Sequence, residues 1–124
     1  MHKILVVDDN EKTRILLREV LTYNGYEVIE ALNGEEGLKA AKKHNPVLIL
    51  MDIQMSVMDG IACLKLIRED ADIGHVKIIA LTSFAMKGDR EKLMEAGFDG
   101  YMTKPVEIDL LTETVKGFIG KGEA

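Results

Sequence analysis

Several patterns are scarce or missing in this sequence, and each absence excludes a class of protein. Cys63 is the single cysteine, so neither a disulfide framework nor a zinc site made of several cysteines is expected. No apolar run reaches the roughly 18 residues that a membrane-spanning helix needs. The opening residues, MHKILVVDDN, lack the apolar core of a secretory signal. These absences favour a protein of the reducing cytoplasm that does not insert into membranes.

Positive charge is also scarce. The chain has 16 lysine and arginine residues against 21 aspartate and glutamate residues, a formal net charge of −5. Proteins that bind nucleic acid directly usually present a basic face, so direct nucleic-acid binding is disfavoured. The three histidines share no metal-ligand spacing and are interpreted as scattered surface residues. The charged run REDAD, residues 68–72, is interpreted as a solvated helix end.

The remaining features are typical of one globular domain. The chain has 124 residues, enough for one hydrophobic core, and is 47% apolar and 30% charged. No repeat, linker or low-complexity segment divides it. We therefore predict one domain over residues 1–120 and a frayed tail at residues 121–124.

Short apolar runs recur along the chain, and each is followed by a segment with apolar residues at helical spacing. The runs predict strands at residues 3–8, 26–31, 47–52, 77–82 and 99–103. Helices are predicted at residues 11–24, 35–43 and 86–96, and two more follow the third and fifth strands. The apolar residues of the first, third and fifth helices are Ile15, Leu16, Val20 and Leu21, then Ile61, Leu64 and Ile67, then Leu110, Leu111, Val115, Phe118 and Ile119. Five β-then-α units predict an α/β fold with a parallel sheet and helices on both faces.

The composition of the strands indicates their order in the sheet. The first, third and fourth runs are continuously apolar, which is typical of central strands covered on both faces. The second run alternates between apolar residues and Glu27 or Glu30, and the fifth is short and mixed, so both are expected at edges. Right-handed crossovers then give the order 2-1-3-4-5, a doubly wound flavodoxin-like sheet. Such sheets bind ligands at the carboxyl ends of their strands.

Polar residues follow the predicted strands at those carboxyl ends. Asp8 and Asp9 close the first strand, Asp52 the third, Thr82 the fourth and Lys104 the fifth. Each alone is most simply a turn, cap or surface residue, but parallel strands bring all of them to one edge. Crowded carboxylates repel, so each must be protonated or find a cation. Lys104 supplies one positive charge, and Mg²⁺ suits the rest because it prefers oxygen ligands and keeps several waters.

A Mg²⁺ ion held by carboxylates beside a lysine is typical of a phosphoryl-transfer site. Carboxylates can attack phosphorus and form an aspartyl phosphate. Asp52 is the best candidate for this attack because it closes a central strand alone, whereas Asp8 and Asp9 form a pair suited to a metal ion. Thr82 can donate a hydrogen bond to a phosphoryl oxygen, and Gly60 lets the backbone approach the site.

Four segments make the chain resemble the receiver domain of two-component response regulators, the CheY-like superfamily. They are VVDDN at residues 6–10, MDIQMSVMDG at 51–60, IIALTSFAMKGDREK at 78–92 and AGFDGYMTKP at 96–105. Each segment is moderately specific, and all four in this order and at these separations are strongly specific. The resemblance covers the chain from the first strand to the fifth helix.

The resemblance implies a role for each matching residue. Asp52 corresponds to the phosphoacceptor, and Asp8 and Asp9 correspond to the acidic pair that holds Mg²⁺, with Asp9 a direct ligand. Asp52 itself and the backbone carbonyl of Gln54 would complete the protein ligands. Lys104 corresponds to the lysine that pairs with the phosphoryl group.

Two further residues correspond to moving parts of the family. Thr82 resembles the hydroxyl that moves to bond the phosphoryl group, and Tyr101 resembles the aromatic residue that turns inward with it. The peptide bond before Pro105 is typically cis in this family. Ser56 and Ser83 replace the commonest residues, proline and alanine, without touching the chemistry.

Gln54 and Phe84 occupy two positions that tune hydrolysis of the phosphoryl group in this family. Hydrolysis needs a water molecule in line with phosphorus, and a polar side chain can orient that water. Phe84 cannot do so and would partly cover the approach, unless it points away and packs on the fourth helix. The first of these interpretations predicts a long-lived phosphoryl state, suited to a relay or a slow developmental switch.

The implied function is a signalling switch that takes part in its own phosphorylation without being an enzyme in the turnover sense. A sensor histidine kinase or a histidine phosphotransfer protein would supply the phosphoryl group, and an unknown downstream protein would respond. The chain is expected to be a monomer or a weak dimer. With no segment after the fifth helix, it is expected to be a stand-alone single-domain regulator, which Met1 favours, or the receiver of a hybrid kinase.

Two other functions fit parts of the pattern. A Mg²⁺-dependent phosphatase with an aspartyl-phosphate intermediate would need a second acid at the position of Gln54. A flavin-binding electron carrier of the same fold would need a loop rich in serine, threonine or glycine after the first strand. The chain has DDNEKT there, which would repel an uncompensated phosphate.

Overall fold

The computed structural model describes residues 2–55, 57–83 and 86–119, apart from the side chain of Lys87. Three sequence predictions fall outside these residues: the departure at Ser56, the hydrolysis-tuning role of Phe84 and the frayed tail at 121–124. Within the described ranges, none of the helices has the length and apolar character that a membrane crossing requires.

Five strands and five helices alternate along the chain, as the sequence predicts. The strands are β1 (Lys3–Val7), β2 (Glu27–Ala31), β3 (Leu48–Asp52), β4 (Lys77–Thr82) and β5 (Gly100–Thr103). The helices are α1 (Glu11–Tyr23), α2 (Gly34–His44), α3 (Gly60–Glu69), α4 (Lys87–Ala96) and α5 (Ile108–Ile119). Where both ends of an element are predicted from sequence, each end lies within one residue of the observed one.

The strands form one parallel sheet in the order β2-β1-β3-β4-β5, which confirms the predicted flavodoxin-like fold. The chain passes from β1 outward to β2, then crosses back to place β3 on the other side of β1. It continues outward through β4 to β5. The direction of winding therefore reverses between β1 and β3, and ligands of such sheets bind at the carboxyl ends of the strands at this point.

Side chains of the central strands alternate between two hydrophobic cores, one on each face of the sheet. In β1, Leu5 and Val7 lie in the core covered by α2, α3 and α4, whereas Ile4 and Val6 lie in the core covered by α1 and α5. All four side chains are fully buried. Because neither face of β1 meets solvent, the strand is a continuous apolar run and not an alternating one.

Helix α1 begins directly after the acidic pair because Asn10 caps it. The Asn10 side chain accepts a hydrogen bond from the Thr13 N–H, as expected of an N-cap. Asn24 caps the other end, and Gly25 follows with a φ of 93°, a conformation that glycine adopts readily. The two acids therefore lie in a short loop at the carboxyl edge of the sheet.

Three apolar positions of α1 and α5 are predicted wrongly. In α1, Leu17 is fully buried although the predicted set omits it, whereas Ile15 is half-buried and belongs to neither core. In α5, Leu111 is fully buried but Leu110 is 46% exposed. Successive residues of a helix are about 100° apart, so the neighbour of a buried residue can face away from the sheet.

The charged run 68–72 is more than a solvated helix end, and this sequence interpretation is wrong at its first residue. The Arg68 side chain is 25% exposed and pairs with the Asp99 carboxylate at 2.8 Å. It also donates hydrogen bonds to the carbonyl oxygens of Gly74, Val76 and Gly97. These partners lie on other segments of the chain, so the local charge pattern could not reveal them.

Candidate functional site

Asp8, Asp52 and Thr82 meet at the carboxyl edge of the sheet. Asp8 directly follows β1, Asp52 is the last residue of β3, and Thr82 is the last residue of β4. Their exposed fractions are 0%, 4% and 4%, and across the described ranges no other polar or charged residue is buried. Burying polar groups costs free energy unless they are paired, so their concentration here indicates a functional site.

Lys104 brings a positive charge to the two buried carboxylates. Its Nζ lies 2.8 Å from Asp8 Oδ2 and 3.3 Å from Asp52 Oδ1. Lys104 follows β5, and its backbone N–H donates a hydrogen bond to the Thr82 carbonyl oxygen at 2.8 Å. The bond from Lys104 to Pro105 is cis, as the family resemblance implies. The strand ends thus bring together the groups that the sequence places after them.

Asn10 and Arg14 hold the loop that carries Asp8, and the sequence pattern does not single out Arg14. Asp8 Oδ1 accepts a hydrogen bond from the Asn10 N–H at 2.8 Å. Arg14 of α1 donates from Nη1 to the Asp8 carbonyl oxygen at 2.8 Å. Arg14 Nε also lies 3.4 Å from Glu30 Oε1 on β2. The signal that could have identified Arg14 is its position one helical turn after the N-cap Asn10.

Asp8, Asp9 and Asp52 can each direct a carboxylate oxygen at one metal ion. These oxygens lie within 4.8 Å of one another. Asp9 is exposed, whereas Asp8 Oδ2 is buried. This oxygen forms an ion pair with Lys104 and has no other partner in the described part of the chain. An all-oxygen set with an incompletely satisfied carboxylate fits a hard cation such as Mg²⁺.

Gln54 is exposed and lies in the loop after β3, two residues beyond Asp52. Its backbone N–H donates a hydrogen bond to Asp52 Oδ1 at 3.2 Å, which fixes the orientation of that carboxylate. The predicted role of its carbonyl oxygen as a metal ligand stays a prediction.

Burial and crowding shift the ionisation of this cluster. Burial raises the pKa of Asp52, and the charge of Asp8 raises it further. Lys104 and the Gln54 N–H lower the pKa of Asp52, but by less. Burial opposes the charge of Lys104, yet the two carboxylates outweigh it and raise the Lys104 pKa overall. One lysine among three acids leaves surplus negative charge, which a divalent cation would neutralise.

Gly60 closes the loop after β3 against the site. A Cβ atom at this position would lie 2.4 Å from the Asp52 carbonyl oxygen, so a larger residue would displace the strand end. The Gly60 N–H donates to the Ile53 carbonyl oxygen at 3.0 Å. Helix α3 begins here, capped by Asp59, whose carboxylate accepts from the Ala62 N–H. The close backbone approach that the sequence predicts at Gly60 is confirmed.

Tyr101 lies on β5 beside helix α4. It pairs with Ala80 in the register of β4 and β5, two residues before Thr82. Its hydroxyl accepts a hydrogen bond from Arg90 Nη1 at 2.8 Å. The side chains that line a groove with it belong to α4: Arg90, Glu91, Met94 and Glu95. The sequence pattern does not single out Arg90, because it is an exposed residue on a helix of mixed charge.

Comparisons with known proteins identify the family. The sequence pattern of the response regulator receiver domain matches residues 4–116. The polar-differentiation response regulator DivK of Brucella anthropi is 39% identical over 117 residues, which cover 94% of this chain and 95% of that protein. DivK of Brucella ovis is 38% identical over the same length.

Solved structures share the fold. A chemotaxis protein of Vibrio cholerae, CheY4, superposes with a TM-score of 0.89 at 30% identity, covering 95% of this chain and 98% of that one. The receiver domain of a sensor histidine kinase from Pseudomonas aeruginosa has a magnesium ion coordinated in its active-site cleft. It superposes with a TM-score of 0.88 at 32% identity, covering 97% of this chain and 98% of that one. The chain therefore belongs to the response regulator receiver domains and is a phospho-accepting signalling switch.

Proposed function

We propose that Asp52 is the residue that accepts the phosphoryl group. It ends the central strand β3 and is 4% exposed, at the edge where sheets of this topology bind ligands. Within the described part of the chain, its carboxylate contacts with the Gln54 N–H and with Lys104 Nζ both fall on Oδ1. Oδ2 is then the oxygen available to attack phosphorus, and this placement is the main support for the assignment.

The transfer is a substitution at phosphorus. An Asp52 oxygen forms a bond to the phosphorus of a phosphohistidine while the bond from phosphorus to the imidazole nitrogen breaks. The electron pair of that bond stays on the nitrogen, which takes up a proton. Lys104, whose Nζ lies 3.3 Å from Asp52 Oδ1, would pair with the phosphoryl oxygens of the product.

The acidic cluster fits the metal ion that this chemistry requires. Mg²⁺ would be held by Asp8, Asp9, Asp52 and the carbonyl oxygen of Gln54. When bound, the ion offsets negative charge on the phosphoryl oxygens during transfer. The Asn10 N–H and Arg14 would keep the first of these carboxylates in position through the two hydrogen bonds described above.

Thr82 and Tyr101 would carry the signal from the site to the surface. Thr82 ends β4, which is the strand directly beside β3, and its register partner on β5 lies two residues after Tyr101. A Thr82 hydroxyl that moves to bond the phosphoryl group would let Tyr101 turn inward. The surface of α4 and β5 would then differ between the two states.

The partners follow from this chemistry. The donor would be a sensor histidine kinase or a histidine phosphotransfer protein, and the responding molecule an unidentified downstream protein of the cytoplasm. The receiver domain is proposed to span residues 1–120. Enzymatic turnover is not part of the proposal, because the phosphatase alternative needs a second acid where Gln54 lies.

Covalent labelling tests the assignment of Asp52. Acetyl phosphate with Mg²⁺ is expected to add one phosphoryl group to the wild-type chain and none to Asp52→Asn, as measured by mass spectrometry of the intact protein. Asp59→Asn is the matched control, since Asp59 caps α3 and asparagine caps a helix equally well. Labelling of Asp52→Asn at the wild-type level would overturn the assignment.

A further inference from the structure

Among the residues that the structure describes, few contacts fix the N-terminal end of helix α4. Its N-cap residue, Met86, is 77% exposed and provides no side-chain hydrogen bond. Gly88 in the first turn has open space around it, and glycine weakens a helix. The other end is held by Leu93, which is 5% exposed, and by Gly97 with a φ of 119°. The position of the first half of α4 therefore depends on its contacts with the sheet.

The contact between Arg90 and Tyr101 joins that half of α4 to β5. Arg90 Nη1 donates a hydrogen bond to the Tyr101 hydroxyl at 2.8 Å. The guanidinium carbon of Arg90 also lies 5.8 Å from the centre of the Tyr101 ring, within the range of a cation–π interaction. Both interactions hold the tyrosine ring on the side of α4.

Tyr101 and Thr82 belong to the same face of the sheet. Tyr101 is paired with Ala80, and Thr82 lies two residues further along β4, so its side chain points to the same side of the sheet as those of Ala80 and Tyr101. Ala80 and Tyr101 both contact the core covered by α2, α3 and α4. Since Ala80 carries only a methyl group, a ring that turns along this face towards Thr82 meets little obstruction from it.

We propose that Arg90 is a positioning residue that holds Tyr101 in its outward orientation and so opposes the phosphorylated state. This inference rests on the proposed function, because it takes Thr82 and Tyr101 as the residues that move. A contact made in only one of two states favours that state by the free energy of the contact. The loss of one hydrogen bond and one ring contact therefore shifts the equilibrium about three- to tenfold towards the inward orientation.

Binding of beryllofluoride with Mg²⁺, a stable mimic of the phosphoryl group, measures this shift without a covalent step. Arg90→Ala is expected to bind the mimic about three- to tenfold more tightly than the wild type. Arg90→Lys, which keeps the charge but loses the planar fork, is expected to fall between them. Lys92→Ala is the matched control, because Lys92 is an exposed basic residue of the same helix.

A double-mutant cycle separates a contact with Tyr101 from a general effect of charge. In a Tyr101→Phe background, which lacks the hydroxyl but keeps the ring, Arg90→Ala is expected to change the affinity for the mimic less than in the wild type. Nuclear Overhauser contacts between the Tyr101 ring and the Thr82 methyl group are expected to strengthen in Arg90→Ala without any mimic. Circular dichroism confirms that each variant is folded.

The possible failures are distinguishable. If the wild-type chain binds no mimic and Asp52→Asn is labelled normally, the proposed function fails and this inference fails with it. If the wild type binds the mimic but Arg90→Ala binds it equally or more weakly, only the role of Arg90 is overturned. Equal tightening by Lys92→Ala, or an undiminished effect in the Tyr101→Phe background, would also overturn that role.

Discussion

Two polar clusters lie at opposite ends of the sheet and differ in how completely their charges are paired. At the amino ends, the Arg68 cluster consists of Arg68, Asp99 and the carbonyl groups of Gly74, Val76 and Gly97. The Asp99 carboxylate also accepts a hydrogen bond from the Ile78 N–H at 2.9 Å and lies 3.9 Å from Lys77 Nζ. Its positive and negative groups all have partners.

The acidic cluster at the carboxyl ends is built differently. Asp8, Asp9 and Asp52 bring three carboxylates together, and Lys104 supplies one positive charge. Burial and the neighbouring charge raise the pKa of Asp52, which shows that its ionised form is not fully compensated. The cluster keeps this imbalance although Asp8 and Asp52 are buried at the ends of strands that lie between the two hydrophobic cores.

The contrast separates a structural network from a binding site. A polar cluster whose groups are all paired stabilises the folded chain by joining segments that are distant in sequence. A cluster with surplus charge of one sign reduces stability until a ligand supplies the missing charge. Substitutions in the two clusters should therefore have opposite effects on folding and on ligand binding.

The largest effect is expected from Arg68→Ala. The substitution removes the donor from three carbonyl oxygens and one carboxylate, so the free energy of unfolding should fall by about 3 kcal/mol. Arg68→Lys should recover less than half of this loss, because an ammonium group cannot reach the same acceptors in a planar fork. Urea unfolding measures both values, and the affinity for Mg²⁺ should be unchanged because the cluster lies at the other end of the sheet.

Arg18→Ala provides the control for Arg68. Arg18 is an arginine with a 47% exposed side chain that pairs with Glu30 at 3.0 Å, and such pairs contribute less than about 1 kcal/mol. If Arg68→Ala destabilised the chain no more than Arg18→Ala, the Arg68 cluster would not be the stabilising network described here.

Asp9→Ala should show the reverse behaviour. Removing one carboxylate from the acidic cluster is expected to weaken Mg²⁺ binding about tenfold or more, since the ion loses a ligand. The free energy of unfolding in EDTA should stay the same or rise, because repulsion among the acids decreases. Calorimetric titration with Mg²⁺ and urea unfolding give the two numbers. Asp72→Ala, which removes another exposed acid, should leave both unchanged.

A retained Mg²⁺ affinity in Asp9→Ala would exclude Asp9 as a ligand. A loss of stability as large as that of Arg68→Ala would show that the acidic cluster stabilises the fold in the same way as the Arg68 cluster, and the contrast between them would fail.

Arg14→Lys tests whether the contacts of Arg14 hold the loop that carries Asp8 and Asp9 in place. A lysine keeps the charge but cannot contact both the Asp8 carbonyl oxygen and Glu30 as Arg14 does. The affinity for Mg²⁺ should fall by up to about tenfold, less than in Asp9→Ala, because only the position of the loop changes. Arg18→Lys is the control. An unchanged affinity would show that Arg14 does not hold the acidic pair in place.

The acidic cluster was more predictable from sequence than the Arg68 cluster, for a physical reason. Strands buried on both faces are continuous apolar runs, so β1 and β3 could be located, ordered and followed to the acids at their ends. Arg68 and Asp99 are 31 positions apart, and the other acceptors of Arg68 are backbone carbonyls, which are present at every residue. Contacts of Arg14 and Arg90 also cross between elements. Residue type therefore predicted which groups meet at the site, whereas the contacts that support them could be identified only once the fold was known.

The smallest expected effect is in the pH dependence of stability, where the two ends of the sheet should again differ in sign. Burial raises the pKa of Asp52 above 3.8. In contrast, the pKa of Asp70, which pairs with Lys42, is lowered, and the hydrogen bond from the Asp72 N–H is the largest cause. A raised pKa means that the folded chain favours the protonated acid. The contribution of Asp52 to stability is therefore lost as the pH rises from the pKa of Asp52 in the unfolded chain through its pKa in the folded chain. The contribution of Asp70 is present above the pKa of Asp70 in the unfolded chain and is lost as the pH falls through its pKa in the folded chain.

Stability curves in EDTA can resolve these opposite slopes. Asp52→Asn should be more stable than the wild type near neutral pH, and the difference should shrink as the pH falls towards 3.8, the usual value for this carboxyl group. Asp70→Asn should be slightly less stable than the wild type near neutral pH, and its difference should shrink only at more acidic pH. Added Mg²⁺ should remove or reverse the advantage of Asp52→Asn, because the ion favours the ionised carboxylate that asparagine lacks. If Asp52→Asn were instead less stable than the wild type in EDTA at neutral pH, Lys104 would already compensate the buried acids and the cluster would have no surplus charge for a cation to neutralise.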